Sequence, residues 1–361
     1  MREKAWQISD KKRVLACLVL GMVCVFTGCR SGSEDTMGTE EGSYYSELIE
    51  MREDEDLMAD ENNLITVGFV QVGSESDWRI TNTQSYREVF TEENGYYLIF
   101  ADGQQKQENQ VKAVRNFILQ EVDYIVLDPI VETGWESVLQ EAKEAGIPVI
   151  LVDRWASVSD DSLYTCWVGS DFEEEGRRAG QWLEQYLADR NLGEKEINIV
   201  TLQGTIGSTA QIGRTEGFAQ IAEENPNWNI LEQQTGDFTQ AKAQEVMEYF
   251  LQTYDDIDVV VSENDNMTFG VMEAVKEAGL ELGSDGDMII LSFDAVKDAL
   301  LAVQSGDIAA DFECNPLLAP LVEEIIQQLE NGENVEKIRY VEETYFDGAM
   351  DMETILEHRE Y

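Results

Sequence analysis

The sequence predicts an α/β protein built as two doubly wound, parallel-sheet lobes. Three observations carry this. Short apolar runs alternate with segments of helical length and period, the series starting near Leu64 starts again at Ile197, and polar and aromatic residues recur directly after the runs. Strands buried on both faces read as continuous apolar runs, and joining them through helices makes the sheet parallel. The 361 residues suffice for roughly two domains of about 150 residues each.

In the first series the strands are Ile65-Thr66-Val67-Gly68-Phe69-Val70, Tyr96 to Phe100, Tyr124-Ile125-Val126-Leu127 and Pro148 to Val152. Between them, Asn109 to Gln120 repeats Val111, Val114, Phe117 and Ile118 at three- and four-residue steps. Thr133 to Ala145 does the same and stops at Gly146, a normal helix C-terminus. The second series holds Ile197 to Leu202, Ile230-Leu231, Asp258 to Val261 and Met288 to Leu291. Ligands of open α/β sheets sit at the carboxyl ends of the strands. Two lobes with those ends facing each other enclose a cleft, so the residues after each strand are the candidates.

Strand one runs into Ser76, Trp78 and Arg79, and strand four into Asp153 and Arg154. In the second half Arg214 sits on the helix after Leu202-Gln203-Gly204-Thr205. Phe238, Asn264 and Asp294 follow the next three strands. Acid, amide, guanidinium and aromatic groups together suit a sugar. Each hydroxyl both donates and accepts, while the C–H faces of the ring pack flat on aromatic surfaces. Singly, each residue has an ordinary reading: Asp153-Arg154 as a surface pair, Trp78 as packing, Arg214 as a solvated helix side chain. Their shared position after strands favours the joint reading.

Composition narrows the function. Seventy-three acidic residues against 25 Lys and Arg give a formal charge of −48, a surface that repels nucleic acid and leans to a monomer. Hydrophobic residues at 43% exclude global disorder. The single histidine, His358, argues against histidine catalysis or a zinc site. The chain holds no phosphate loop ending in Lys-Ser/Thr, no Gly-x-Ser-x-Gly elbow and no His-Glu-x-x-His. With so many acids, carboxylate pairs suggesting a glycosidase arise by chance. Arg and Asn beside the acids favour holding over cleaving, so neither an enzyme nor a cofactor is expected.

The N-terminus reads as an address. Lys11-Lys12-Arg13 precede an apolar run, Val14 to Phe26, ending in Thr27-Gly28-Cys29. The run is shorter than the roughly 20 residues a membrane span needs, and its flanks are those of a secretory signal. Thr27-Gly28-Cys29 resembles a bacterial lipobox, with Phe26 in place of the usual aliphatic residue. Residues 1–28 are then a lipoprotein signal peptide and Cys29 the acylated mature N-terminus. An ordinary signal peptide and an uncleaved anchor are the alternatives. Residues 29–63 form an acidic tether, with a short helix possible around Tyr44 to Met58. Cys166 and Cys314 remain in the folded part, and sequence leaves open whether they pair.

The stretch Val67 to Arg79, which includes Gln71-Val72-Gly73-Ser74-Glu75-Ser76-Asp77-Trp78-Arg79, resembles the periplasmic galactofuranose-binding proteins of bacterial sugar ABC transporters, of the ribose/galactose type. So do Ala101-Asp102-Gly103-Gln104-Gln105-Lys106-Gln107-Glu108-Asn109-Gln110, Thr133-Gly134-Trp135, Leu202-Gln203-Gly204-Thr205 and Gly236-Asp237-Phe238-Thr239. The resemblance implies the type I periplasmic-binding-protein fold, with three hinge crossings near Gly169-Ser170, Cys314-Asn315 and Tyr340 to Glu342. It divides the body into a lobe of 64–169 plus 315–341 and a lobe of 170–314 plus 342–361. By the same resemblance Ser76, Trp78, Arg79, Asp153 and Arg154 touch sugar from the first lobe. Arg214, Phe238, Asn264 and Asp294 do so from the second, and Glu313 from a further strand end. It implies a monosaccharide ligand, an ABC permease with its ATPase, and a place on the outer face of the cytoplasmic membrane, on a Gram-positive-type surface. A sensor presenting its closed form to a chemoreceptor or histidine kinase is the alternative. A repressor of the same fold is excluded by the signal segment and the absent basic helix-turn-helix. Two departures stand in the motifs: Asp77 where Gly is expected and Trp155 where a smaller residue is usual, either able to narrow the cleft. Trp135 has two readings, lining the cleft or packing at a helix start.

Overall fold

The computed structural model of the chain describes residues 64–283 and 288–361. The expected signal segment, Cys29, the tether and its short helix lie outside the described residues. The first series of elements is β1 (Ile65–Gln71), α1 (Asp77–Val89), β2 (Tyr96–Asp102), α2 (Gln107–Leu119), β3 (Tyr124–Leu127), α3 (Glu136–Ala145), β4 (Val149–Val152) and β5 (Cys166–Gly169). The second is α4 (Phe172–Asp189), β6 (Ile197–Gln203), α5 (Thr209–Glu224), β7 (Trp228–Thr235), α6 (Gln240–Thr253), β8 (Val259–Ser262), α7 (Asp265–Glu277), β9 (Ile289–Asp294), α8 (Lys297–Ser305) and β10 (Ala310–Glu313). The chain closes with α9 (Ala319–Glu330), β11 (Ile338–Tyr340), β12 (Tyr345–Asp347) and α10 (Met352–His358).

These strands form two six-stranded sheets, ordered β11-β5-β4-β3-β1-β2 and β12-β10-β9-β8-β6-β7. Among the described strands the pairs are parallel, save β12 against β10. The chain passes from one sheet to the other after β5, after β10 and between β11 and β12. Each sheet is covered on both faces, and alternate residues of one strand enter different cores. Val149 and Leu151 of β4 join one cluster with Val70, Ile125 and Leu127, while Ile150 and Val152 join the other with Phe69 and Val126. The second sheet repeats this, with Ile199, Val259 and Val261 on one side and Val200, Val260 and Ile290 on the other.

On α2, Val114 and Phe117 are buried and Val111 and Ile118 pack against the same cluster. Helix α3 starts only at Glu136, because Trp135 is fully buried in the first lobe and its indole donates to Val131 O at 2.7 Å. Trp135 is thus a packing residue. The short strands β5, β10, β11 and β12 have no run in the sequence long enough to announce them. Cys166 and Cys314 are free and buried. No helix among the described residues is long and apolar enough to cross a membrane.

The lobes touch across their facing edges. Glu132 N–H donates to Gly207 O at 2.9 Å, and Trp155 N–H to Thr209 Oγ1 at 3.0 Å. Asp77 N–H donates to Asn266 Oδ1 and Asn266 Nδ2 returns a bond to Asp77 Oδ2, both at 3.0 Å. Asp77 therefore serves as a rim contact between the lobes. The ring of Trp155 turns away and packs 5.5 Å from Tyr164 and from Trp167, so it does not line the cleft.

Candidate functional site

Between the lobes, at the carboxyl ends of both sheets, lies a narrow cavity. The closed space is tight, about 20 Å³, room for roughly one water, so a ligand enters only as the lobes part. Nine of the ten expected sugar contacts line it: Ser76, Trp78, Arg79, Asp153, Arg154, Arg214, Phe238, Asn264 and Asp294. Glu313 lies outside it. Its Oε1 accepts from Arg359 Nη1 at 2.6 Å and Tyr361 OH at 2.8 Å, and its Oε2 accepts from Thr344 N at 3.1 Å. The C-terminal segment thus takes up this carboxylate, and the next residue, Cys314, meets the cavity instead. Glu75, Phe172 and Ala210 also line it and were not singled out from sequence. Glu75 sits in the very loop after β1 that supplied Ser76, Trp78 and Arg79, so the same rule of position reaches it.

Helix N-termini bring several of these groups to the cleft. Ser76 caps α1, its Oγ accepting from Arg79 N at 3.1 Å. Asn264 caps α7, with Oδ1 accepting from Met267 N at 3.0 Å. Each oxygen thus has a structural duty, since a missing cap costs about 1 kcal/mol. Three lining residues, Asp153, Phe238 and Asp294, adopt positive φ values of 55°, 59° and 109°. Strain of that kind costs of order 1–3 kcal/mol per residue and gathers at ligand sites.

In the first lobe Arg79 Nη1 donates to Asp128, to Asp153 Oδ2 at 2.9 Å and to Gln71 Oε1 at 3.2 Å, with Glu75 Oε1 3.5 Å from its Nε. These acids hold the guanidinium charged although burial opposes it. Arg154 Nη1 donates to Ile130 O at 3.0 Å, and its guanidinium stands 5.1 Å over the Phe238 ring of the other lobe. Burial and the neighbouring Arg79 push the Arg154 pKa down. Trp78 spans the lobes, donating its indole N–H to Cys314 O at 2.7 Å and packing with Phe172, Ala210 and Phe238.

In the second lobe Arg214 donates from Nε to Glu175 Oε2 at 2.7 Å, from Nη1 to Glu263 O, and from Nη2 to Asp294 Oδ1 at 3.2 Å. Close helix packing allows this, because a Cβ on Gly176 of α4 would lie 2.2 Å from Arg214 O. Burial raises Asp294 to about 6 against the pull of Arg214, and raises Glu263 to about 8. Every guanidinium in the cavity thus already faces carboxylates or carbonyls. Glu75, Asp128, Asp153, Glu175 and Asp294 surround Arg79, Arg154 and Arg214, an excess of acids that disfavours an anionic ligand, whereas a neutral polyol finds both donors and acceptors. Among the lining residues, the buried atoms that lack a hydrogen-bond partner are the Nε groups of Arg79 and Arg154 and Glu75 Oε2. Buried orphans cost about 1–3 kcal/mol each, which a ligand's hydroxyls would recover.

The acids also set a pH dependence of stability. Burial raises Asp294 to about 6, Asp311 and Glu343 to about 7 and Glu263 to about 8. The native state therefore holds protons that an unfolded chain releases near pH 4. Stability is expected to fall as pH rises from about 5 to 8, and the net charge of −48 acts in the same direction. Thermal melts at pH 5.5 and 8 check this, and a higher midpoint at pH 8 would contradict it.

Two sheets wound alike, with a polar and aromatic cavity between them, define a two-lobed ligand-binding protein. The chain belongs to the periplasmic binding protein domain family, whose model matches residues 67–314. It is 42% identical to the galactofuranose-binding protein YtfQ of Escherichia coli (strain K12) over 286 residues, 78% of this chain and 87% of that protein. A Mycobacterium smegmatis structure in complex with β-D-fucofuranose is 43% identical, with a TM-score of 0.77, covering 81% of this chain and 94% of that one. The periplasmic binding protein of the arabinose ABC transporter from Shewanella sp. ANA-3, bound to α- and β-L-arabinofuranose, is 44% identical with a TM-score of 0.74. The aligned region covers 82% of this chain and 99% of that one. These relatives bind sugars and are not enzymes.

Proposed function

We propose that this chain captures a single furanose-form sugar, galactofuranose foremost, between its closing lobes and delivers it to an ABC permease driven by its ATPase. The observation that carries the reading is the polar and aromatic cavity, where Arg79 Nε, Arg154 Nε and Glu75 Oε2 lack hydrogen-bond partners and the Trp78 and Phe238 rings share the lining. A carboxylate acceptor and two guanidinium donors match vicinal hydroxyls, and the rings match the sugar's apolar faces. The furanose sugars held by two similar structures support a monosaccharide with a five-membered ring. Acylation at Cys29 then tethers a monomer to the outer face of a Gram-positive-type membrane, near the permease.

Calorimetric titration against galactose, arabinose, ribose, glucose and xylose tests the ligand. Saturation at an apparent site fraction that tracks the minor furanose content of galactose is expected. Full occupancy by ribose or by a pyranose would overturn the named sugar, and silence across the panel the sugar class. Arg154→Ala is expected to weaken binding by about 2 kcal/mol, roughly 30-fold, by leaving ligand hydroxyls buried and unpaired. Unchanged affinity would mean that the sugar sits elsewhere.

A further inference from the structure

We propose that Glu343 is a proton-binding site at the hinge, and that proton uptake there favours the closed arrangement of the lobes. The geometry is a shared point of attachment. Glu343 lies on the segment joining β11 to β12, the third passage of the chain between lobes. Its Oε1 accepts from Ser170 Oγ at 2.7 Å, on the first passage. The same oxygen accepts from Asn315 N at 2.7 Å, on the second. Its backbone oxygen accepts from Arg178 Nη1 of α4 at 2.9 Å. Rotation of one lobe against the other twists these three segments relative to each other, so the bonds to this oxygen depend on the degree of closure.

The surroundings favour a proton. One ligand-type atom from each of Glu175, Cys314 and Glu343 lies within 4.8 Å of the others. Arg214 faces this group but is bonded to Glu175 and Asp294. Glu313 adds a further negative charge, itself held by Arg359, and Arg178 pairs with Glu174. Burial therefore pushes Glu343 up to about 7, with Glu313 adding to it and Ser170, Asn315 and Arg214 opposing. A proton on Oε2 leaves both lone pairs of Oε1 accepting, so the ties to the other two passages survive protonation.

The sign follows from linkage. Opening exposes the half-buried carboxyl further, and its pKa falls toward the ordinary value near about 4.3. Closure then takes up a proton, and the closed form gains as pH falls below about 7 and loses that gain above it. The inference concerns the hinge and holds whichever sugar is bound.

The test uses the full, ligand-free chain, with fluorophores clicked onto azidophenylalanine at the exposed positions Asn116 and Glu245 and single-molecule energy transfer between the lobes. The closed-to-open ratio is expected to rise about thirtyfold from pH 8 to pH 5.5. In E343Q, which keeps the accepting oxygen and removes the proton site, the ratio should be high at both pH values. In S170A, which removes a bond favouring the charged form, the midpoint should move to higher pH. A wild-type ratio that is flat with pH, an E343Q protein that keeps the wild-type dependence, or an S170A midpoint that stays in place would each overturn the proposal.

Discussion

Replacing Arg214 with Ala is expected to abolish ligand binding and to lower stability by about 3–5 kcal/mol at pH 8, because it strips the cation from buried carboxylates. Glu175 Oε2 and Asp294 Oδ1 both lose their guanidinium partner, and the Glu263 carbonyl loses a donor. Arg214 stands between two buried acids, so the change reaches the fold as well as the cavity. The acids can escape the penalty by taking up protons, so the loss should be smaller at pH 5.5 than at pH 8. Adding Glu175→Gln should recover part of the stability without recovering binding. Urea unfolding at both pH values and calorimetry with galactose measure the two effects separately. Binding that survives the Arg214 change would remove the second lobe's guanidinium from the site.

Gly204→Val is expected to cut affinity at least a hundredfold while costing only about 1–3 kcal/mol of stability, the range for overpacking. Gly204 follows β6 directly, and a Cβ there would lie 1.8 Å from Phe238 Cζ. The ring cannot slide aside easily. Asp237 and Phe238 both stand in the left-handed region, with φ of 52° and 59°. Thr235 Oγ1 ties the same turn to Gly204 O at 2.6 Å, and Gly204 N–H donates to the buried Glu263 Oε2 at 2.7 Å. A valine therefore drives the ring into the cavity, toward the guanidinium of Arg154. Phe238→Ala in the same background separates the causes: it removes the clash, so stability should return while binding does not. Unaltered affinity in Gly204→Val would mean that Phe238 is not part of the binding surface.

Much of the fold was legible because each central strand is apolar on both faces. Val149-Ile150-Leu151-Val152 and Val259-Val260-Val261 have no solvated side to interrupt the run. Edge strands were less so. Only Ile230-Leu231 of β7 stands out in a strand that runs from Trp228 to Thr235 with most of its residues partly or fully exposed. β11 and β12 span three residues each and gain their identity from their neighbours in the sheet.

The sequence by itself determined the two wound lobes and the position of the candidate residues after their strands. Strand burial and chain direction are local properties, and in a parallel sheet they place every strand end on one edge. Only the tertiary structure decided how each polar atom is used. It assigned the oxygens of Ser76 and Asn264 to helix caps, gave Glu313 to Arg359 and Tyr361, placed Asp128 behind Arg79 and Glu175 behind Arg214, and left Glu75 facing the cavity. Among 73 acidic residues no local pattern marks those few. What separates a buried, paired carboxylate from a solvated one is a partner far away in the chain, and that partner arrives only when the lobes are folded and closed.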